Sequence, residues 1–186
     1  MASPFRILAI SGSLRRASFN RGLVRAARES TPEGVAIETA EVAALPHYDA
    51  DVEEAGDPDA VTELKERIRA ADALLIATPE YNSSLPGALK NAIDWASRPY
   101  GASVLAGKPA AVMGASAGGG GTARAQPTLK RVLTAAGCCV LMEPEVLVGG
   151  AHSRFDTDGN LEDDAVRDEI RALIAALVEF ARQPSD

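Results

Sequence analysis

The stretch that decides the fold is "FRILAISGSLRRASFN", residues 5–20. The apolar run 5–10 predicts a buried strand, and the polar residues after it form a loop that opens a helix. Such a loop is a common anion-binding position in α/β proteins, because the first N–H groups of the helix are free there. The stretch has one glycine, so it matches neither the dinucleotide fingerprint nor the P-loop. Its side-chain donors are Ser11, Ser13, Arg15, Ser18 and Asn20. Two interpretations remain: a site for a compact anion, or a helix start that Ser18 caps and solvated arginines flank.

The rest of the chain alternates short apolar segments with segments of helical period. We predict strands at 5–11, 35–42, 73–78, 109–115 and 138–142, and helices at 18–29, 58–71, 86–97, 122–136 and 161–182. This pattern predicts one α/β domain over residues 1–186, a doubly wound, flavodoxin-like parallel sheet of order 2-1-3-4-5 with helices on both faces. In that topology the loops after strands one, three and four are neighbours.

Two features lie outside this regular pattern. The acidic stretch 49–57 is expected to be a solvated loop. Trp95 lies off the apolar stripe of its helix, so we expect it either beneath a loop or at a subunit interface.

Charge and composition exclude several classes of function. The net charge is −7, which argues against nucleic-acid partners, because DNA affinity depends on basic residues that neutralise phosphates. Residues 1–28 nevertheless hold six arginines and no acid, which favours binding of a compact anion. No leader or membrane-spanning run is evident, so we expect a cytoplasmic protein without a membrane partner. The adjacent Cys138 and Cys139 are expected to be buried, reduced thiols.

The loop after strand three begins the segment "PEYNSSLPGALKNAIDW", residues 79–95. Pro79 and Pro86 bracket a tight loop that offers backbone N–H and C=O groups and the aromatic ring of Tyr81. Such a loop suits the polar edge and flat face of a heterocycle. The alternative is a structural loop whose tyrosine packs against the protein.

The loop after strand four lies within "GASAGGGGTARAQ", residues 114–126. Its glycines would permit positive φ angles and a close backbone approach to a flat ligand, and Ser116 could donate one hydrogen bond. We interpret this loop as a ligand wall, the alternative being a flexible linker.

Together, "GSLRRASFN", "PEYNSSLPGALKNAIDW" and "GASAGGGGTARAQPTLKRVL" resemble the NADPH-dependent FMN reductase family, from residue 6 to about residue 148. The resemblance implies that Ser13, Arg15, Ser18 and Asn20 hold the FMN phosphate. It implies that Pro79, Glu80, Tyr81, Asn82 and Ser83 contact the isoalloxazine ring and ribityl chain, and that Ser116, Gly118 and Gly119 lie at its other edge. It also implies NADPH or NADH as co-substrate, a small-molecule acceptor such as a quinone, chromate or an azo compound, and a homodimer or homotetramer.

The chain departs from the family pattern at Ala117 and Thr122, where a proline and a glycine are frequent. Both are expected where the substrate or nicotinamide approaches, so the family's substrate range does not carry over to this chain, whereas flavin binding does.

The chemistry would then belong to the flavin. His47 and His152 lack metal-ligand spacing, and we predict neither a metal site nor a catalytic side chain. Backbone N–H groups of residues 80–82 would stabilise the charge of a reduced flavin. The leading hypothesis is therefore an FMN-dependent NAD(P)H oxidoreductase. A flavodoxin-type electron carrier is the alternative, although Arg15 and Arg16 argue against it, and a non-redox domain for another phosphorylated ligand is the third.

Overall fold

The computed structural model describes residues 3–183, and within that range it contains six helices and six strands. The strands are β1 (Phe5–Ser11), β2 (Val35–Ala40), β3 (Ala73–Ala77), β4 (Pro109–Ala115), β5 (Cys139–Val140) and β6 (Val146–Val148). The helices are α1 (Phe19–Glu29), α2 (Ala50–Ala55), α3 (Asp59–Ala70), α4 (Gly87–Ala96), α5 (Ala125–Ala135) and α6 (Asp164–Arg182), with a 3₁₀ turn at Ala151–Ser153.

The strands form one parallel sheet in the order β2-β1-β3-β4-β5, and β6 also pairs with β4. Every residue of β3 is buried, as expected for a central strand covered by helices on both faces. In β1, Ile7 faces a core built with α1 and α6, whereas Leu8 faces a core built with α3, α4 and α5. The predicted α/β class and strand order are therefore confirmed.

The fifth strand differs from the prediction. We expected one strand at 138–142, but β5 ends at Val140, and a second segment, β6, pairs further along β4. Pro144 lies between them and has no N–H for a strand ladder, which explains the break. The side chain of Lys130 on α5 holds this connection, because its Nζ donates to Met142 O and to Glu145 Oε1, both at 2.7 Å.

The acidic stretch contains a helix rather than only a solvated loop, so that prediction was wrong. Asp49 caps α2 by accepting a hydrogen bond from the N–H of Asp51 (2.9 Å). Acidic residues in the first turn favour such a helix start, although α2 buries none of its residues. Glu53 anchors α2, since it accepts hydrogen bonds from Tyr48 Oη and Arg98 Nε. The bond from Arg98 contributes most to lowering the pKa of Glu53.

Trp95 is fully buried within the single chain, so the subunit-interface interpretation was wrong. Its Nε1 donates to Pro46 O (2.9 Å), and its ring lies edge-on to that of Tyr48 with centroids 5.0 Å apart. The loop after β2 therefore covers Trp95.

Both cysteines are free thiols, Cys138 buried and Cys139 partly buried. Burial raises the pKa of Cys138 to about 12, so its thiol stays protonated at neutral pH. In the part of the chain that the structure describes, no helix is long and apolar enough to cross a membrane. No group of three or more potential metal-ligating side chains occurs among residues 3–183.

Candidate functional site

The loops after β1, β3 and β4 meet at the carboxyl edge of the sheet and enclose a cavity of about 230 Å³. Eight of the thirteen predicted site residues line it: Ser13, Arg15, Ser18, Asn20, Pro79, Glu80, Tyr81 and Ser116. Ser11, Asn82, Ser83, Gly118 and Gly119 are outside its lining. The cavity is also lined by Phe19, Ala115 and Ala117.

The start of α1 shapes one end of the cavity. Ser18 is the N-cap, and its Oγ accepts hydrogen bonds from the N–H groups of Asn20 (3.2 Å) and Arg21 (3.4 Å). Ser11 supports the same loop, since its Oγ accepts from the N–H of Ser13 at 3.3 Å. The capping interpretation of Ser18 is thus confirmed, and its hydroxyl hydrogen is still free to donate to an anion.

Asn20 joins this loop to the end of β4. Its Nδ2 donates to Ala115 O, and its Oδ1 accepts from the N–H of Ala115, both at 2.9 Å. The side chain is only 2% exposed. The amide therefore satisfies a buried backbone donor and acceptor, and one Nδ2 hydrogen remains for a ligand. The sequence suggested a phosphate ligand but did not suggest this structural contact.

Arg15 brings a positive charge to the same end. Its guanidinium carbon lies 5.9 Å from the centroid of the Phe19 ring, and the ring of His152 lies edge-on to Phe19 at 5.2 Å. No carboxylate within residues 3–183 pairs with Arg15 or Arg16, whereas Arg21 pairs with Glu41 at 2.6 Å. The charge of Arg15 at the cavity is thus left for a ligand.

The loop after β3 is a tight turn. Tyr81 and Ser84 exchange two backbone hydrogen bonds at 3.0 Å, and Asn82 and Ser83 between them have φ angles of +49° and +63°. These angles are those of a type I′ turn. The N–H of Tyr81 is therefore occupied, contrary to its expected role toward a reduced flavin. The N–H groups of Glu80, Asn82 and Ser83 have no acceptor among residues 3–183.

The Tyr81 side chain is 52% exposed. About half of its surface is open to solvent, which does not favour the alternative of a tyrosine packed against the protein. Its ring is free to border a flat ligand.

Glu80 is held by the opposite loop. Its Oε1 accepts a hydrogen bond from Arg124 Nε (2.8 Å) and forms an ion pair with Arg124 Nη2 (2.6 Å). Its Oε2 accepts from the N–H groups of Arg124 (2.9 Å) and Ala125 (3.1 Å). The bonds from Arg124 lower the pKa of Glu80, and burial offsets part of that effect. The side chain of Glu80 is thus engaged within the protein, and only its backbone can contact a ring.

The glycine-rich loop after β4 is anchored rather than flexible. Ser116 donates its N–H to Val148 O (2.9 Å) and accepts from the N–H of Ala151 (3.1 Å), while Gly118 O accepts from the N–H of Gly150. Only Gly121 of the four glycines has a positive φ, so Gly118, Gly119 and Gly120 do not use the left-handed conformations that glycine permits. The loop forms a wall whose Gly118–Gly120 surface is exposed.

Thr122 does not face a substrate, and the expectation that it would was wrong. It is fully buried, and its Oγ1 accepts from Gln126 Nε2 at 2.8 Å. Ala117, in contrast, is exposed and lines the cavity.

The sequence interpretation missed Phe19 and the backbone of residues 149–151, which supports the glycine loop. An aromatic residue within an otherwise polar loop was a usable signal for Phe19. No local pattern marked the second segment.

Two larger grooves lie on the helical surface, one of about 520 Å³ beside α1 and β2 and one of about 550 Å³ between α4 and α5. Neither is lined by residues of the three loops. The smaller cavity is therefore the candidate functional site, because hydrogen-bond donors and the charge of Arg15, both without partners among residues 3–183, converge there.

Comparison with known proteins identifies the family of the chain. Residues 5–153 match the family described as NADPH-dependent FMN reductase. An NAD(P)H-dependent FMN reductase of Pseudomonas aeruginosa is 47% identical over 183 residues, which is 98% of each chain. A 2-hydroxy-1,4-benzoquinone reductase of a Burkholderia species is 38% identical over 95% of this chain and 96% of the relative.

A solved structure gives the same result for the fold. The flavoenzyme NAD(P)H:(acceptor) oxidoreductase of Paracoccus denitrificans superposes with a TM-score of 0.86 at 37% identity, covering 95% of this chain and 96% of that one. The similarity in sequence and the similarity in fold both extend across nearly the whole chain. The protein is therefore a member of the NADPH-dependent FMN reductase family.

Proposed function

We propose that the protein is an FMN-dependent NAD(P)H oxidoreductase that reduces quinones and related small molecules. The observation that carries this proposal is that the two ends of one cavity present different groups. One end presents Arg15 at a capped helix start, and the other presents backbone N–H groups beside the exposed ring of Tyr81. Within residues 3–183, Arg15 has no carboxylate partner and these N–H groups have no acceptor. This donor set fits a molecule with an anionic tail and a flat polar ring.

The phosphate end comprises Ser13, Arg15, Ser18 and Asn20. Arg15 would supply a charge-assisted hydrogen bond, and the α1 dipole would favour the dianion. The hydroxyl of Ser18 and the remaining Nδ2 hydrogen of Asn20 would donate from the protein side. Ser11 would act indirectly, through the N–H of Ser13.

The ring end comprises residues 79–83. The N–H groups of Glu80, Asn82 and Ser83 would donate to the polar edge of the isoalloxazine, and Tyr81 would define a stacking slot. Ser116, Ala117, Gly118 and Gly119 would form the opposite wall. Bound FMN would supply the hydride and electron chemistry. These residues would bind and orient the flavin ring and leave one of its sides accessible to the reactants.

The nature of the electron acceptor is proposed from the relatives. Several carry the name quinone reductase, including proteins of Pseudomonas putida and Escherichia coli. We propose a quinone as the acceptor class and either NADPH or NADH as the electron donor.

The proposal is tested by titrating apo protein with FMN and following NADPH oxidation in the presence of a benzoquinone. We expect saturable binding of FMN and turnover well above that of free FMN at the same concentration. Binding without such turnover would favour the electron carrier, and absence of FMN binding would contradict both flavin hypotheses. Repeating the assay with NADH decides the preferred nicotinamide.

The single-domain organisation, the homodimer or homotetramer and the cytoplasmic location belong to the same proposal. Sedimentation velocity of the FMN-loaded protein would test assembly, and cell fractionation would test location. A monomer at micromolar concentration would contradict the assembly.

A further inference from the structure

We propose that Glu80 is a positioning residue that sets the shape of the ring end by fastening the loop after β3 to the first turn of α5. This inference rests on the proposed function, because it concerns the surface that would receive the flavin ring. It assigns Glu80 no part in the chemical step.

The contacts of Glu80 join two separate parts of the chain. Its carboxylate accepts three hydrogen bonds from Arg124 and Ala125 at 2.8–3.1 Å and lies 2.6 Å from Arg124 Nη2. These two residues are 44 and 45 positions from Glu80 in the sequence. The Glu80 side chain is 7% exposed, whereas that of Arg124 is 70% exposed. The acid is thus the inner member of the pair, and the arginine covers it from the solvent side.

Helix α5 has no capping side chain of its own. Its N-cap residue is Arg124, which makes no side-chain capping bond. Glu80 supplies the missing acceptor to the first N–H groups from a different loop, with the negative charge that the helix dipole favours. Removing the carboxylate would leave both the helix start and the loop without this connection.

The same contacts exclude a proton-transfer role. Both carboxylate oxygens are already acceptors, and the bonds from Arg124 lower the pKa of Glu80, so it stays ionised at neutral pH. A group that moves a proton needs a pKa nearer the working pH. Glu80 therefore acts through the placement of its own backbone and of Tyr81.

The ring and phosphate ends are distinguished by comparing FMN with riboflavin, which has the same ring and no phosphate. We expect Glu80→Gln to weaken binding of both by about tenfold, because the loss of one hydrogen bond to a charged group corresponds to about that factor in a dissociation constant. The ratio of the two dissociation constants should stay at its wild-type value. The absorption fine structure of the bound flavin should also change, since it reports the surroundings of the ring.

Glu145→Gln is the matched control. It also removes the charge from a glutamate paired with a basic residue of α5, Lys130 (2.7 Å), but at the break between β5 and β6 rather than at the cavity. We expect it to leave both dissociation constants within twofold of wild type. If it weakened flavin binding as much as Glu80→Gln, the effect would be general destabilisation and the inference would be wrong.

A second variant keeps the inference testable if Glu80→Gln does not fold. Arg124→Gln leaves Glu80 its two backbone donors, so it should weaken FMN and riboflavin equally but less than tenfold. Unchanged affinities in the folded variants, or a loss for FMN alone, would overturn the inference while the proposed function stood. A wild-type protein that bound neither flavin would overturn both.

Discussion

The two ends of the cavity are built differently. At the phosphate end, Ser13, Ser18 and Asn20 are each no more than 3% exposed, and Ser18 and Asn20 bond backbone groups of the protein itself. At the ring end, the Tyr81 side chain is 52% exposed, and two non-glycine residues beside it have positive φ angles. The phosphate end is fixed by buried polar contacts, whereas the ring end is an exposed turn held mainly by the hydrogen bonds of Glu80 with Arg124 and Ala125.

This difference suits one end of the cavity to binding the flavin tightly and the other to admitting the reactants. A donor set held before the ligand arrives lowers the entropy lost on binding. An exposed turn leaves room for a nicotinamide and an acceptor to approach in succession. We therefore expect substitution of a buried residue at the phosphate end to lower stability strongly, and substitution of an exposed residue in the turn at the ring end to change stability little.

The largest expected effect is at Asn20. Asn20→Asp puts a carboxylate oxygen against Ala115 O in a buried place, and we expect the free energy of unfolding at pH 7 to fall by about 3 kcal/mol. A protonated carboxyl could donate to Ala115 O, which raises the folded-state pKa. The loss should therefore shrink as the pH falls. Urea denaturation at pH 7 and pH 5 measures both effects.

Asn82→Asp is the matched control, since Asn82 is exposed and aspartate tolerates its left-handed conformation. We expect a change within about 0.5 kcal/mol. Equal losses at the two positions would contradict the contrast between the ends.

The next effect is at Arg15. Arg15→Ala removes a charge-assisted hydrogen bond, so the dissociation constant for FMN should rise about tenfold to a hundredfold. Riboflavin binding and the melting temperature should change little, because Arg15 is exposed and its only described contact is with the Phe19 ring. Isothermal titration with both flavins provides the measurement.

Arg16→Ala is the control for charge, because Arg16 does not line the cavity. If Arg16→Ala weakened FMN binding as much as Arg15→Ala, the phosphate would respond to the overall positive charge of the loop and not to a hydrogen bond from Arg15. Ser18 is a poorer probe, since removing this cap should itself cost about 1 kcal/mol of stability.

A smaller, pH-dependent effect is expected at Glu80. The pKa of Glu80 is lowered in the folded protein. The ionised carboxylate therefore stabilises the fold fully above its unfolded-state pKa of about 4.5, and this contribution is lost as the pH falls through the folded-state pKa. The stability advantage of wild type over Glu80→Gln should be constant from pH 7 to pH 5 and should decline at lower pH. Parallel urea titrations of the two proteins measure it. An advantage that grew on acidification would contradict the assignment.

The smallest effect is expected at Ser83, whose φ of +63° is unfavourable for a residue with a side chain. Ser83→Gly relieves that strain but adds freedom to the unfolded chain, so we expect a gain of about 0.5 kcal/mol. Denaturation curves test this. A clear loss of stability would show that the Ser83 side chain contributes a contact of its own.

The regular core was predictable from the sequence because its signals are local. Apolar runs with helical segments between them gave the strands β1 to β4 and their order. The break before Val146 was missed, although Pro144 marked it, and α2 was missed because it has no apolar face. The sequence left two alternatives open for Trp95, because the loop that accepts its N–H lies 49 residues away in the chain.

The site was predictable as a set of loops but less so as a set of contacts. Composition and the family resemblance identified all three loops, and Ser18 was recognised as a possible cap. Two tertiary contacts were not foreseen, that of Asn20 with Ala115 and that of Glu80 with α5. Each joins residues at least 45 positions apart, and no spacing rule within one segment encodes such a pair.

The broken fifth strand also bears on how the protein avoids self-association through its sheet. An edge strand with free backbone groups can pair with another chain and start aggregation. Here that edge is divided into short pieces around Pro144, and two of its carbonyls, Met142 O and Val146 O, already accept hydrogen bonds from Lys130 and Gln126 of α5. The interruption therefore leaves an incoming strand few consecutive partners along this side of the sheet.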